Sequence, residues 1–376
     1  MDAAAIHAAL LPWYERCRRD LPWRRTRDPY AVWVAEVMLQ QTRSAAAAPY
    51  FRRWLDRFPT VGHLARSALP DALAAWRGLG YYHRARNLHA AARLVVGPLG
   101  GRLPRTRDAW LQLPGVGPYT AAAVASIAFG EPVAALDGNA RRVLARLAAV
   151  DGDPARPPAA RRIAAAASLL VHHPRPGDVN QAVMELGATV CTARRPSCAT
   201  CPLRARCRAL AAGRVAELPT PASRRAPLAV HAVALAARSA ADETWLVARR
   251  PAAGALAGLW EFPQTVLAHG GEAPLDAAAR LALALGLAPL RLHPCEPVRH
   301  AFTHRRLTVA PVVAETAGAP AVDDRGRPAA DAAVAGATYD AWLWAPHGEL
   351  LALPASRLME KLWARVAAAT TDSPRD

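Results

Sequence analysis

The chain has 376 residues, 52% of them apolar, with a mean hydropathy of +0.03. At roughly 150 residues per domain this predicts two domains that bury their cores without disulfide staples, and it excludes general disorder. The formal net charge is +17, an excess that points to a polyanionic partner, nucleic acid first.

The N-terminus carries Asp2 and no basic stretch leading into an apolar one, so no signal peptide is expected. No uncharged apolar run reaches about 18 residues, so no membrane span or membrane partner is expected. The expectation is a monomer in the bacterial cytoplasm. The basic residues number 47, and all are Arg except Lys361.

Residues 1 to about 210 read as helical, with apolar residues at three- and four-residue spacing, as in Leu69, Leu73 and Trp76. The segment DPYAVWVAEVMLQQTR opens on Asp28-Pro29, a helix start. Glu36 lies among Trp33, Val34, Val37, Met38 and Leu39. A carboxylate there is costly unless partnered or protonated, and burial raises its pKa toward that of a general acid. The competing reading is a solvent-facing Glu on an amphipathic helix.

Residues 113–120 read LPGVGPYT between the helical segments TRDAWLQ and AAAVASIAFG. Gly115 and Gly117 flank Val116 and remove side chains where the turn approaches something closely. The backbone N–H groups at the next helix start can cradle a phosphate, as in a helix-hairpin-helix that grips one DNA strand. Asp137 follows in LDGNARRVLARL at a helix entry, where it is an N-cap, a functional carboxylate, or both.

Four Cys fall in one window: Cys191, Cys198, Cys201 and Cys207. Zinc usually repeats a C-x2-C knuckle, and here only one occurs. Four thiolates from one short loop suit a [4Fe-4S] cluster better, with a four-cysteine zinc site as the alternative. Cys17 and Cys295 stand apart and read as small buried apolar residues. Residues 211–227 are rich in Pro, Ala and Arg and read as a linker. Beyond it, LAVHAVALAAR, ETWLVARRP, RLTVAPVVAE and YDAWLWAP read as strands, with helical runs at Leu275–Leu285 and Ser356–Ala367. The expected fold is multidomain: an all-α module over 1–210, a linker over 211–227, and a small α+β module over 228–368.

LPWRRTRDPYAVWVAEVMLQQTR, WRGLGYYHRARNLH, LPGVGPYTAAAVASIAFG, LDGNARRVLAR and NQAVMELGATVC, with the cysteine loop, resemble the adenine DNA glycosylases of the MutY type. These are helix-hairpin-helix glycosylases with an iron–sulfur cluster, and the match is dense over about residues 8–210. The resemblance implies base-excision repair of double-stranded DNA, with adenine flipped out and removed opposite 8-oxoguanine or guanine. It implies that Glu36 protonates adenine N7 and that Asp137 stabilises or transiently attacks the oxocarbenium-like sugar. Tyr119 and Asn139 match positions that support the sugar and the carboxylates. Arg19, Trp23, Arg24, Leu39 and Gln181 match the adenine pocket. Gln41, Thr42, Leu79 and Tyr81 match elements that enter the base stack. The bland reading of Tyr81 and Tyr82 is a core aromatic pair, but GLGYY is a turn, which favours a wedge for Tyr81.

A related family, endonuclease III, is a bifunctional glycosylase/lyase that needs a Lys where this chain has Tyr119. A monofunctional enzyme is therefore expected over a lyase, or over a non-catalytic lesion-binding protein on the same folds. The second module resembles a Nudix domain around GLWEFP and the helix after it. Leu283 and Ala284 stand where that family's paired Glu metal ligands belong, so no Nudix hydrolysis is expected. HAFTH, with Phe302, Thr303 and His304, resembles the loop that reads 8-oxoguanine, with Thr303 replacing the usual Ser. A plain strand surface is the alternative for His300 and His304.

Overall fold

The computed structural model describes residues 1–220, 226–251, 254, 256–268, 271–302, 304–318 and 339–371. No helix among them is long and apolar enough to cross a membrane. Contacts group the chain into two units: Met1–Ala75 with Arg84–Arg224, and Trp76–His83 with Arg225–Asp376.

The first unit is helical throughout. In order come α1 (Ala3–Cys17), α2 (Pro29–Leu39), α3 (Ser44–Arg57), α4 (Val61–Arg66), α5 (Leu69–Ala75), α6 (His83–Val96), α7 (Arg107–Trp110) and α8 (Pro118–Phe129). Then follow α9 (Gly138–Leu147), α10 (Ala159–Val171), α11 (Pro176–Thr189) and α12 (Arg208–Ala211). Helix α2 is the buried one. Asp28 caps it by accepting the Ala31 N–H at 3.0 Å, Pro29 opens it, and every residue from Tyr30 to Met38 is buried. It ends at Leu39, earlier than the sequence pattern predicts, because Gln41 turns into the left-handed region at φ 59°. TRDAWLQ supplies only the single turn of α7. A second packing centre joins Leu10, Tyr14, Leu144, Ile163, Leu170 and Leu186, on α1, α9, α10 and α11.

The start of the expected linker is folded onto this unit. Leu218 is 1% exposed, and its carbonyl accepts from Arg146 Nε at 2.7 Å. Arg214 pairs with Asp151 and Glu217. A Pro- and Ala-rich composition did not preclude packing, since one Leu and one Arg suffice to anchor the strand of chain.

The second unit contains β1 (Leu228–Ser239), β2 (Thr244–Arg249), β3 (Trp260–Glu261), β4 (Gln264–Val266), α13 (Pro274–Ala284), β5 (Arg291–Pro294), β6 (Val298–Ala301), β7 (Arg305–Thr316), β8 (Ala341–Pro346), α14 (His347–Ala352) and α15 (Arg357–Thr371). The mixed sheet runs β3-β2-β1-β7-β5, with β4 on β1, β6 on β7 and β8 on β2. Strands β1 and β7 are parallel along their whole length, from Leu228 opposite Arg305 to Ser239 opposite Thr316. The alternation of β1 sends Val233, Leu235 and Ala237 under α13, and Ala232, Ala234 and Ala236 under α15. The four expected strands and both helices are present; the short β3 to β6 carried too few residues to show a period.

The Trp76–His83 turn bends on three left-handed residues, Gly78, Gly80 and Tyr81, and Trp76 Nε1 donates to the Gly80 carbonyl at 3.1 Å. Tyr82 is buried and Tyr81 is 41% exposed, so they are not a core pair. Leu79 is buried, at 8% exposure.

Candidate active site

A cavity of about 810 Å³ opens in the first unit, within the usual size of ligand sites, roughly 300–1,000 Å³. Glu36, Tyr119, Asp137, Asn139 and Gln181 line it, as do Arg19, Trp23, Arg24, Leu39, Gln41 and Thr42. Sequence positions as far apart as Arg19 and Ala188 thus meet at one site, brought together by the segment between α1 and α2, by α2 and α8, by the N-terminus of α9 and by α11.

Glu36 is 6% exposed, which excludes the solvent-facing reading. Its Oε2 has no hydrogen-bond partner. Burial pushes its carboxyl up to about 7, against the Tyr119 hydroxyl beside it, and the Asp137 charge adds to the rise. Such a group holds its proton near neutrality and has an oxygen free to deliver it. Tyr119 Oη donates to Met184 Sδ at 3.2 Å, and burial raises its own pKa well above the usual phenol value.

Asp137 is both a cap and a cavity carboxylate. One oxygen accepts the Ala140 N–H at 2.6 Å and the other accepts Asn139 Nδ2 at 3.0 Å. Burial raises its pKa, and these hydrogen bonds with the Arg142 charge work against the rise. The chain leading into Asp137 is held by Asn180, which accepts the Ala135 N–H at 3.1 Å and donates to the Val133 carbonyl and Ser126 Oγ, each at 2.9 Å.

Several residues that organise the site escaped sequence reasoning. Glu185 is fully buried and accepts from Arg19 Nε at 2.8 Å, Arg19 Nη2 at 2.7 Å and Arg24 Nη2 at 2.7 Å. Burial alone would raise its carboxyl, but the two guanidinium groups prevail and hold it at about 2. Arg142 donates to Asn139 Oδ1 at 2.8 Å, the Gly187 carbonyl at 2.7 Å and the Cys191 carbonyl at 2.9 Å. Arg146, 2% exposed, donates to the Thr192 carbonyl at 2.7 Å and approaches Cys191 Sγ at 3.4 Å. The available signal was Glu185 inside the apolar run of NQAVMELGATVC, next to Leu186 and one turn from Ala182, and two Arg spaced by four on one helix face.

In the hairpin, Gly115 is left-handed at φ +74°, and a Cβ there would meet Asn87 Cβ at 2.5 Å, so its close approach is to the protein itself. Gly117 opens α8 with nothing within 4 Å of its missing Cβ, which leaves its face clear. Val116 is buried.

Cys191, Cys198, Cys201 and Cys207 line one small cavity, half-buried and free of disulfides. Among the described residues, no three His, Cys, Asp or Glu converge as ligands of a single ion. Cys17 is exposed, contrary to the buried role read from sequence, because it is the last residue of α1; Cys295 is half-buried against the α15 side of the sheet.

In the second unit, Phe302 and His304 sit in the turn between β6 and β7, where the Phe302 N–H donates to the Arg305 carbonyl at 2.8 Å. Thr303 lies outside the described residues. His300 and Phe302 stack edge-on with ring centres 4.8 Å apart. Leu283 and Ala284 face solvent on α13. Lys361 donates to the Arg299 carbonyl at 3.1 Å within this same unit.

Residues 34–169 match the profile of the HhH-GPD superfamily of base excision DNA repair proteins, and residues 233–365 match that of the NUDIX domain. The chain is 39% identical to an adenine DNA glycosylase of Rattus norvegicus, over 82% of this chain and 70% of that one. It is 42% identical to an adenine DNA glycosylase of Mycolicibacterium smegmatis, over 54% of this chain and 69% of that one. Among solved structures, a thermostable thymine-DNA glycosylase aligns with a TM-score of 0.52 at 30% identity, covering 56% of this chain and 97% of its own.

Proposed function

We infer that this chain, which belongs to the adenine DNA glycosylases of the HhH-GPD superfamily, removes adenine opposite 8-oxoguanine or guanine and stops at an abasic site. The enzyme is a base-excision-repair glycosylase; the partner base, the reaction's end point and the residue roles are our reading. Glu36 carries it: a buried carboxyl with a pKa near 7 and an unpartnered oxygen, in one cavity with Asp137 and Tyr119.

In this mechanism adenine leaves the stack and enters the cavity between Trp23, Leu39 and Gln181. Glu36 gives its proton to adenine N7 as the C1′–N9 bond breaks, so the base leaves neutral. The Asp137 carboxylate stabilises the sugar cation. Asn139 and the Ala140 N–H hold Asp137 in place, and Arg19 and Arg24, fixed by Glu185, shape the base pocket. Water then adds at C1′, and its proton returns to Glu36. Gly115, Val116 and Gly117 hold a phosphate through the α8 N-terminus. Gln41, Thr42, Leu79 and Tyr81 are the residues assigned to the base stack, of which Tyr81 is exposed and Leu79 is buried.

The four cysteines suit a [4Fe-4S] cluster. A single zinc needs its sulfurs at about 2.3 Å from one centre, whereas a cubane takes one thiolate at each of four separated irons. A cavity ringed by four half-buried thiols from one short loop supports the cluster. When bound, the cluster would order the 191–207 loop. Phe302, Thr303 and His304 would read the oxidised partner base. The same reading puts the enzyme to work as a monomer on bacterial DNA in the cytoplasm.

The test is incubation with duplexes carrying A opposite 8-oxoguanine, G or T, with strands scored before and after alkali. Cleavage only after alkali, for the 8-oxoguanine and G duplexes, supports the reading. Cleavage without alkali, with a borohydride-trapped complex, would show a lyase, against which stands Tyr119 at the position where a lyase needs Lys.

A further inference from the structure

Arg84 stands at the start of α6 and is 3% exposed, in a protein whose other arginines mostly face solvent or acids. Its guanidinium meets carbonyls and a hydroxyl. Nη1 donates to the carbonyls of Val37 at 2.9 Å, Met38 at 2.9 Å and Gln40 at 2.6 Å, and Nη2 donates to Thr42 Oγ1 at 3.3 Å. These carbonyls belong to the last turn of α2 and the residue after it, where a helix has no donors of its own left. A cation there also suits the negative end of the helix dipole. Arg can serve all four acceptors because its fork is planar and rigid; an ammonium cannot.

The turn that follows is under strain. Gln41 is exposed and left-handed at φ 59°, a conformation that non-glycine residues keep only when their surroundings impose it. Two further ties act on it: the Thr42 N–H donates to the Leu39 carbonyl at 3.2 Å, and Gln40 Nε2 donates to Thr120 Oγ1 at 3.2 Å.

We propose that Arg84 is a positioning residue that preforms the Gln41–Thr42 turn for insertion into DNA. The inference rests on the role given above to Gln41 and Thr42. A turn already in its inserting shape loses less freedom on binding, so more of the contact energy goes to holding the adenine outside the stack.

The experiment measures base extrusion apart from chemistry. 2-Aminopurine replaces the target adenine opposite 8-oxoguanine, and its fluorescence is read with Glu36→Gln protein, alone and combined with Gln41→Ala or Arg84→Lys. Both combinations should lower the extruded fraction by about tenfold, less than the roughly 10²-fold that a 1 Å misplacement at a reacting group costs. Arg84→Lys in the otherwise native enzyme should slow single-turnover excision by the same factor, with the pH midpoint unmoved. If Arg84→Lys keeps full extrusion while Gln41→Ala loses it, the proposal fails and the function of the turn stands. If Gln41→Ala keeps full extrusion, the role given to the turn fails, and that of Arg84 with it. A shifted pH midpoint would show Arg84 acting on Glu36 through α2, and would also overturn the proposal. Hydrogen exchange on the free wild-type protein needs no variant: slow exchange at the Thr42 amide is the result expected, and exchange at the free-chain rate would refute a preformed turn.

Discussion

Glu185 holds Arg24 by a 2.7 Å hydrogen bond, although neither residue is joined to the other by fewer than 161 positions of sequence. The same carboxylate takes Arg19, whose side chain is 43% exposed, so one buried anion fixes both arginines of the base pocket. Removing the anion leaves Arg24, 10% exposed, without a counter-charge.

Glu185→Gln should therefore destabilise the protein by about 3 kcal/mol, the lower end for a broken buried pair because Arg19 reaches solvent. The carboxyl is held at about 2, below the ordinary glutamate value of 4.5. Its stabilising contribution is present above pH 4.5 and is lost as pH falls toward 2, so the mutant and native stabilities should converge at acid pH. Urea melts at pH 7 and pH 3 check this; an equal gap at both would contradict it.

Glu36→Gln should keep DNA affinity and lose excision, since the amide has no proton to give. The native excision rate should fall as pH rises through about 7, where the buried carboxyl ionises. A raised carboxyl favours folding below its unfolded value and loses that advantage above its folded one. The variant should thus become more stable than the native protein above pH 8, by up to about 3 kcal/mol. Thermal melts at pH 6 and pH 8.5 read the sign directly, and a variant less stable at both would refute the account of Glu36.

The all-α then α+β order, and the place of Glu36, Asp137 and the four cysteines, were legible because each rests on a local pattern. The charge in the apolar run of α2 was visible, and so were the cap at LDGN and the spacing of the thiols. What stayed hidden depends on contacts distant in sequence. Glu185 reads as an ordinary helix carboxylate until Arg19 and Arg24 are seen to converge on it. Arg84, Arg142 and Arg146 were lost in an excess of arginine that the sequence ties to nucleic acid, although each is spent on backbone carbonyls inside the protein. Short strands such as β5 and β6 show no period because they owe their pairing to β7.

The cysteine loop should yield iron and acid-labile sulfide in protein purified without oxygen. Cys198→Ser should lower the iron content and weaken DNA binding, because the 191–207 loop then lacks one of its four ties. Stoichiometric zinc with no iron in the native protein would favour the single-ion site instead.

Gly187 tests how tightly α11 sets the catalytic carboxylate. A Cβ at this position would lie 2.7 Å from Asn139 Cβ and 2.9 Å from the Asn139 carbonyl oxygen. One of these is backbone, so the clash cannot be relieved by turning a side chain. The N-terminus of α9 must move, and with it Asn139, which donates to Asp137 at 3.0 Å, and the Ala140 N–H, which donates to Asp137 at 2.6 Å. Gly187→Ala should therefore cost about 1–3 kcal/mol of stability, as overpacking does. It should slow single-turnover excision by about 10²-fold, the penalty of a displacement near 1 Å at a reacting group. DNA affinity should fall much less, because the hairpin at Gly115–Gly117 and the Gln41 turn lie on other elements. A control, Gly348→Ala, should show neither effect on excision nor a clash, since nothing lies within 4 Å of its missing Cβ and its backbone is not left-handed. Equal losses of binding and excision in Gly187→Ala would mean that the whole unit loosens, and that α11 does not specifically aim Asp137.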